Sequence, residues 1–171
     1  MYRILVADDE GIMLEAFKNI ISGTFGDSCI IETAKTGRAV TEIAETFHPD
    51  IVFMDIHMPG INGIQAIREI RKFNTTALFY IVSAYDKFDY AKEAIDLGVE
   101  KYLTKPISKA KIISVVEEAI AKGKELDVIC KQYKADNGKE LYNAINEHIY
   151  KSVKGLLESN AETKDIIANC R

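Results

Sequence analysis

The chain has 171 residues, 47% apolar and 28% charged, with 22 Lys and Arg against 26 Asp and Glu, for a net charge of −4. That length allows one domain, or one domain with an appendage, and the composition can bury a real core, which excludes a disordered tail. The acidic balance excludes a polybasic nucleic-acid footprint, and no apolar run approaches the ~20 residues of a membrane span. The N-terminus lacks a charged region followed by an apolar one, so the chain is expected to be unexported. Cys29, Cys130 and Cys170 are an odd set, far apart and without a CxxC pair. They argue against a disulfide framework or a zinc site and for a reducing cytoplasm.

Charge divides the chain. Residues 1–123 hold 14 basic and 18 acidic side chains, and residues 124–171 hold 8 of each. All three prolines, Pro49, Pro59 and Pro106, fall in the first part. The expected division is therefore a domain over 1–123 and a helical tail, linker or dimerisation segment over 124–171.

In chain order, Tyr2–Ala7 reads as a buried strand that ends in the acids Asp8, Asp9 and Glu10. Residues 12–21 place apolar side chains at 13, 14, 17, 20 and 21, the helical period. Cys29–Ala34 is a second strand, and Thr36 precedes a helix that runs through Thr46. Ile51–Met54 is a third, wholly apolar strand; 62–73 is a helix with Ile64, Ile67 and Ile70 on one face. Residues 77–82 form a fourth strand and 88–97 a helix closed by Gly98, a natural residue just past a helix end. Residues 99–103 form a fifth strand, after which Ser108 can cap the last helix of the set.

Five strand-then-helix units in a row predict an α/β fold, a doubly wound parallel sheet with helices on both faces. Apolar strands with little alternation fit strands covered on both sides. In such sheets ligands sit beyond the C-terminal strand ends. Asp8, Asp9 and Glu10 follow strand one, Asp55 strand three, Ser83 strand four, and Lys105 with Pro106 strand five. In the flavodoxin-like order 2-1-3-4-5, these ends gather several carboxylates, a hydroxyl and an ammonium. Packed carboxylates either hold a proton or hold a cation such as Mg²⁺. A carboxylate beside Mg²⁺ can attack a phosphoryl group, with Lys105 and Ser83 binding its oxygens. Acids after strands also serve as N-caps, a reading that stands equally well for Asp8 or Asp9 alone.

ILVADDE at 4–10, DIVFMDIHMPGINGI at 50–64 and IVSAYDKFDYAKEAIDLGVEKYLTKPI at 81–107 together resemble a receiver domain of a two-component response regulator. The resemblance covers about the first 120 residues. It implies that Asp55 is the phosphoacceptor, and that Asp8, Asp9, Asp55 and the backbone carbonyl of His57 hold Mg²⁺. It gives Ser83 and Lys105 the phosphoryl group, makes Tyr102 an aromatic switch, and makes Pro106 a cis proline. His57 and Tyr85 stand where the family tunes the lifetime of the phosphoaspartate; either side chain could instead be a solvent-facing loop residue. Glu10 is an outer acid of the metal site or an acid of the first helical turn.

The remaining residues have plainer readings. His48 is a helix-end cap, His148 a surface residue, Cys29 a buried strand residue, and Met58-Pro59-Gly60 a turn. The charged stretch 86–96 is a solvated helix face or a docking face.

The implied partner is a sensor histidine kinase. The fourth helix, fifth strand and fifth helix, about 88–120, form the surface that changes on phosphorylation and often pairs two receivers, so a homodimer is expected there or through the C-terminal helix. The run at 81–107 looks most like receivers attached to AraC-type DNA-binding domains. Val116, Ala119, Gly123, Leu126, Cys130 and Tyr133 form a heptad-like seam continuing the last helix. Asn137 with Glu140 resembles a capping box, and Tyr142, Ile145, Ile149, Val153 and Leu156 form a second stripe. The tail is too short for an AraC-type output and shows no helix-turn-helix pattern or basic cluster. Nucleic-acid binding by this chain itself is not expected, nor is contact with a membrane. The expected function is a non-enzymatic, phosphorylation-controlled regulator, acting on transcription through an output domain outside this chain. The alternative is a stand-alone receiver acting through its helical tail. An acid-cluster phosphatase fits less well, because the second catalytic acid it wants two residues beyond Asp55 is His57 here.

Overall fold

The apolar runs become strands because no single helix could bury them on all sides, whereas a sheet layered between helices can. The computed structural model describes residues 1–84 and 88–133. In chain order the elements are β1 (Tyr2–Ala7), α1 (Gly11–Phe25), a 3₁₀ turn (Gly26–Ser28), β2 (Cys29–Ala34), α2 (Gly37–Phe47) and β3 (Ile51–Met54), followed by α3 (Gly63–Arg71), β4 (Leu78–Ser83), α4 (Phe88–Asp96), β5 (Lys101–Thr104) and α5 (Lys109–Tyr133). The strands form one five-stranded parallel sheet in the order β2-β1-β3-β4-β5. By chain contacts the protein divides into the compact units Met1–Ala121 and Lys122–Arg171.

Strand alternation builds one core on each face of the sheet. Leu5, Val52, Met54, Phe79 and Ile81 point to α2 and α3, where Val40, Ala44, Ile64, Ile67 and Ile70 meet them. Ile4, Val6, Phe53, Tyr80 and Val82 point the other way, onto Leu14, Phe17 and Ile21 of α1 and Ile112, Val115, Val116 and Ala119 of α5. There the Phe53 ring packs 5.0 Å from Phe17 and 5.4 Å from Tyr80, centroid to centroid. Val116 and Ala119, the first two residues of the seam expected in the last helix, are thus spent on the sheet.

The helix starts are chemically specified. Thr36 accepts the Ala39 N–H through Oγ1, and Ser108 accepts the Lys111 N–H through Oγ. Asn62 and Gln65 exchange side-chain bonds with each other's backbone N–H in a capping box. His48 ends α2 in the left-handed conformation. α1 outruns its expected end at residue 21 because Phe25 still finds the core; Gly26 then stops it at positive φ. β5 starts two residues later than expected because the Val99 N–H is still bonded to Ala94 O, closing α4. The expectations at Asn137, at His148 and for the stripe from Tyr142 to Leu156 lie outside the described residues, as does Tyr85. No helix among the described residues is long and apolar enough to cross a membrane.

Chemical denaturation should rank two substitutions widely apart. Phe53→Ala should cost about 3–5 kcal/mol, since it empties the centre of a ring stack. Asn62→Ala should cost about 1 kcal/mol, the worth of a cap. Comparable losses would contradict this account of the core.

Candidate functional site

The strand register levels the C-terminal ends in two pairs, with β4 and β5 running two residues past β1 and β3, since Met54 is opposite Ile81. Ala7, the last residue of β1, is opposite Met54, the last of β3, and Ser83 of β4 is opposite Thr104 of β5. The next residues out are Asp8, Asp55 and Lys105. Their backbones continue the ladder: the Asp55 N–H donates to Ala7 O, and the Lys105 N–H to Ser83 O, both at 2.8 Å.

The three side chains converge. Lys105 Nζ lies 2.8 Å from Asp8 Oδ2 and 3.2 Å from Asp55 Oδ1, with the two carboxylate side chains each 4% exposed. Glu10 Oε2 stands at the edge of the cluster, 3.9 Å from the same ammonium. Glu10 is also the N-cap residue of α1, though its side chain makes no capping bond. Asp9 is exposed beside the pair. The Asp55 carboxylate is further oriented by the His57 backbone N–H, which donates to Oδ2 at 2.6 Å, and Asp8 accepts the Glu10 N–H at 3.0 Å.

Burial is the largest influence on the pKa of Asp8, raising it above the ordinary carboxylate value, helped by the charge of Asp55 and opposed by the hydrogen bond from Lys105. For Lys105, burial by itself favours the neutral amine. The bond to Asp8 and the charges of Asp55 and Asp8 outweigh it, and the net shift is upward. An ammonium raised in the folded state stabilises the fold below its unfolded pKa and loses that contribution as pH climbs through the folded value. An acid raised in the folded state does the reverse of a normal ion-paired carboxylate: it disfavours folding once pH exceeds its folded pKa. Lys105 is therefore what makes the buried acids tolerable at neutral pH.

Ser83 is fully buried at the end of β4. Ile81 and Tyr102 are register partners and pack in the same core layer, so the pleat puts Ser83, two residues on from Ile81, on the face of the sheet that Tyr102 occupies. Tyr102 is half-buried there. The Lys105–Pro106 peptide is cis. The His57 ring stands edge-on to Tyr90 of α4, centroids 5.7 Å apart.

Two glycines carry a share of the site that sequence reasoning did not assign them. A Cβ on Gly63 would collide with the carbonyl oxygen of Asp55, and one on Gly37 with that of Ile61. The loop from Asp55 to α3 is thus wedged between the starts of two helices, with Ile56 and Met58 buried as plugs. The signal was present in the GING run, where a glycine one residue past a helix cap marks a close approach.

Mg²⁺ fits this donor set. The ligands available are hard oxygens, and three carboxylates face a single ammonium. Among the described residues no three or more His, Cys, Asp or Glu side chains form a ready-made cage. Mg²⁺ does not need one, because it is commonly held by one or two carboxylates with water completing its shell.

The sequence pattern described as the response regulator receiver domain matches residues 4–117. The chain belongs to this family. Its receiver is 38% identical over 128 residues to the uncharacterized transcriptional regulatory protein YesN of Bacillus subtilis, covering 75% of this chain and 35% of that protein. The chain spans between about a third and about half of the length of the curated relatives it matches. Among solved structures, the receiver domain of AraT, a response regulator from Geobacillus stearothermophilus, is 30% identical, with a TM-score of 0.65, over 72% of this chain and 96% of that one. CheY in a CheX–CheY–BeF₃–Mg²⁺ complex from Borrelia burgdorferi is 26% identical, with a TM-score of 0.63, over 70% of this chain and 89% of that one. The protein is thus a receiver of two-component systems, related to transcriptional regulators.

Lys105→Met should destabilise the receiver more at pH 7.5 than at pH 5, since it removes the hydrogen bond and charge that oppose the upward shift of Asp8 and leaves that buried acid without its cation. Urea denaturation at the two pH values checks this, and an equal loss at both would contradict it.

Proposed function

We propose that Asp55 is the phosphoacceptor of this receiver and that a sensor histidine kinase is the donor. The observation that carries the reading is the ammonium of Lys105 held between two buried carboxylates at the strand ends, 2.8 Å from one and 3.2 Å from the other. A carboxylate oxygen of Asp55 attacks the phosphorus of the kinase's phosphohistidine. The P–O bond forms, the P–N bond breaks, and the imidazole nitrogen leaves with the electron pair and takes a proton. The product is a mixed anhydride carrying about −2 of charge where the carboxylate carried −1.

Asp8, Asp9, Asp55 and the backbone carbonyl of His57 are the residues that would hold Mg²⁺. Bound there, it offsets charge on the transferred group. Lys105 gives up its contact with Asp55 for a phosphoryl oxygen. Ser83 supplies a hydrogen bond to another oxygen. Tyr102, on the same face of the sheet, follows Ser83 and reshapes the surface of α4, β5 and α5. A charge change at one point thereby biases a two-state element.

That surface carries Ile95, 76% exposed on α4, and the Lys101–Glu118 ion pair joining β5 to α5. An exposed apolar residue and paired charges both suit a second receiver presenting the same groups. Similarity to YesN, named as a transcriptional regulatory protein, supports control of transcription through an output domain as the consequence.

Incubation with acetyl phosphate should add a single phosphoryl group by intact mass, dependent on Mg²⁺ and lost in Asp55→Asn. Labelling of that variant at another residue would sink the assignment. In a separate titration Asp9→Ala should weaken Mg²⁺ binding about tenfold or more. An unchanged Mg²⁺ isotherm would remove Asp9 from the ligand set.

A further inference from the structure

α4 is tied to the rest of the receiver at both ends, and the two ties differ in kind. At its C-terminal end the tie is Arg71, the last residue of α3. The guanidinium donates from Nε to Leu97 O at 3.2 Å and from Nη2 to Gly98 O at 3.0 Å. It donates from Nη1 to Thr75 O at 2.8 Å and to Ala77 O at 2.9 Å. Its plane lies over the Phe79 ring, 4.5 Å from the centroid. The carbonyls at a helix C-terminus have no partner within the helix and form the negative end of its dipole. Arg71 supplies donors and charge for that end from a neighbouring helix.

The other carbonyls held by Arg71 belong to a segment that is itself fixed. Asn74 is buried, donates from Nδ2 to Pro49 O at 2.9 Å and accepts the Ala77 N–H through Oδ1 at 3.1 Å. The end of α4 is therefore fastened, through one planar group, to the start of β4 and the approach to β3. This is the edge of the sheet opposite Asp55.

At the other end of α4, Tyr90 meets the ring of His57. His57 is two residues from Asp55, and its backbone N–H holds Asp55 Oδ2. A change at the Asp55 carboxylate thus reaches Tyr90 through one residue. Between the two ends, Arg68 and Glu93 make an exposed ion pair at 3.3 Å, which offers little resistance.

We propose that Arg71 is a positioning residue that fixes the C-terminal end of α4 in both states of the receiver, so that the signal from Asp55, reaching α4 through His57 and Tyr90 in addition to the Ser83–Tyr102 route, turns α4 about that end instead of sliding it. The inference rests on the phosphoacceptor reading of Asp55. A guanidinium is suited to the anchor because its rigid fork binds carbonyls on two chain segments at once; a lysine ammonium, a single point of charge, cannot span them in the same way.

The test is residue-resolved amide exchange by NMR on the full chain, with and without beryllofluoride and Mg²⁺, with ¹⁹F resonances reporting occupancy. Loading should change exchange at Tyr90 and its neighbours in the first turns of α4 and leave Leu97, Gly98 and Val99 unchanged. In unloaded Arg71→Lys, exchange at Leu97–Val99 should rise about tenfold, the effect expected for a lost charge-assisted hydrogen bond; on loading, the response should spread to these residues. In His57→Ala, exchange at Leu97–Val99 should stay as in the parent, while the response of the first turns should shrink. Bound beryllofluoride with equal changes at both ends of α4 would overturn the hinge while leaving the phosphoacceptor reading intact. Unchanged exchange at Leu97–Val99 in Arg71→Lys would overturn the anchor. Absence of any bound fluoride resonance would instead strike the phosphoacceptor reading, and the inference would fall with it. The comparison of loaded and unloaded parent protein needs no variant, so it stands even where Arg71→Lys folds poorly.

Discussion

Two carboxylates buried side by side repel each other and have lost most of their water, a combination that normally neutralises one of them. Here Lys105 answers for both. The sheet order puts β4 between β3 and β5, so the lysine reaches past one strand, roughly 10 Å across two strand spacings, to touch Asp55, and there it also meets Asp8, which leans in from β1 on the far side of β3. A long, flexible stem is needed for that span, and a small buried residue, Ser83, ends the strand it crosses. The register of β5 follows from the same requirement, since a one-residue slip of β5 would turn the ammonium to the other face of the sheet. Breaking a buried pair of this kind is far more costly than never having built it. The cluster is thus a poor device for stability and a good one for sensing charge, because its one cation is balanced between two acids and any change of charge on either shifts that balance.

The loop after Asp55 has to be as rigid as the carboxylate it orients. Ile56 and Met58 fill the core, Asn62 and Gln65 fasten the start of α3, and Gly37 and Gly63 let two backbones approach where a methyl group would collide. The hydrogen bond from His57 to Asp55 is therefore not a property of His57 alone. It is set by where α2 and α3 begin, and those starts are set by Thr36 and Asn62.

Much of this was legible in the sequence, for physical reasons that can be named. The strands announced themselves as short apolar runs, wholly uncharged in β3 and β4, and strand alternation then dictated both core layers. The convergence of Asp8, Asp55 and Lys105 followed from their places one residue beyond parallel strands of one sheet, β1 beside β3 and β5 one strand further on. What escaped was whatever depends on a contact between distant segments. Arg71 is one more basic residue at the end of an amphipathic helix, a place where charge is ordinary, and nothing local says that its donors go to Leu97 and Gly98. Gly37 looked like an ordinary helix start, since the carbonyl it makes room for belongs to Ile61. The boundary of β5 was misplaced because Val99 has strand propensity but is still engaged in closing α4.

The fourth strand has a consequence for the cell. Every residue of β4 is buried, and ALFYIVS at 77–83 carries no charge and no proline. Such a segment is a strong template for intermolecular β-pairing if its edge is bared. What covers that edge is β5, four residues long, held at its two ends by the Glu100 N–H to Phe79 O and the Lys105 N–H to Ser83 O, both 2.8 Å. β5 is thus the guard over an aggregation-prone stretch of the domain. A movement that peeled this short strand away would expose the chain to its own copies.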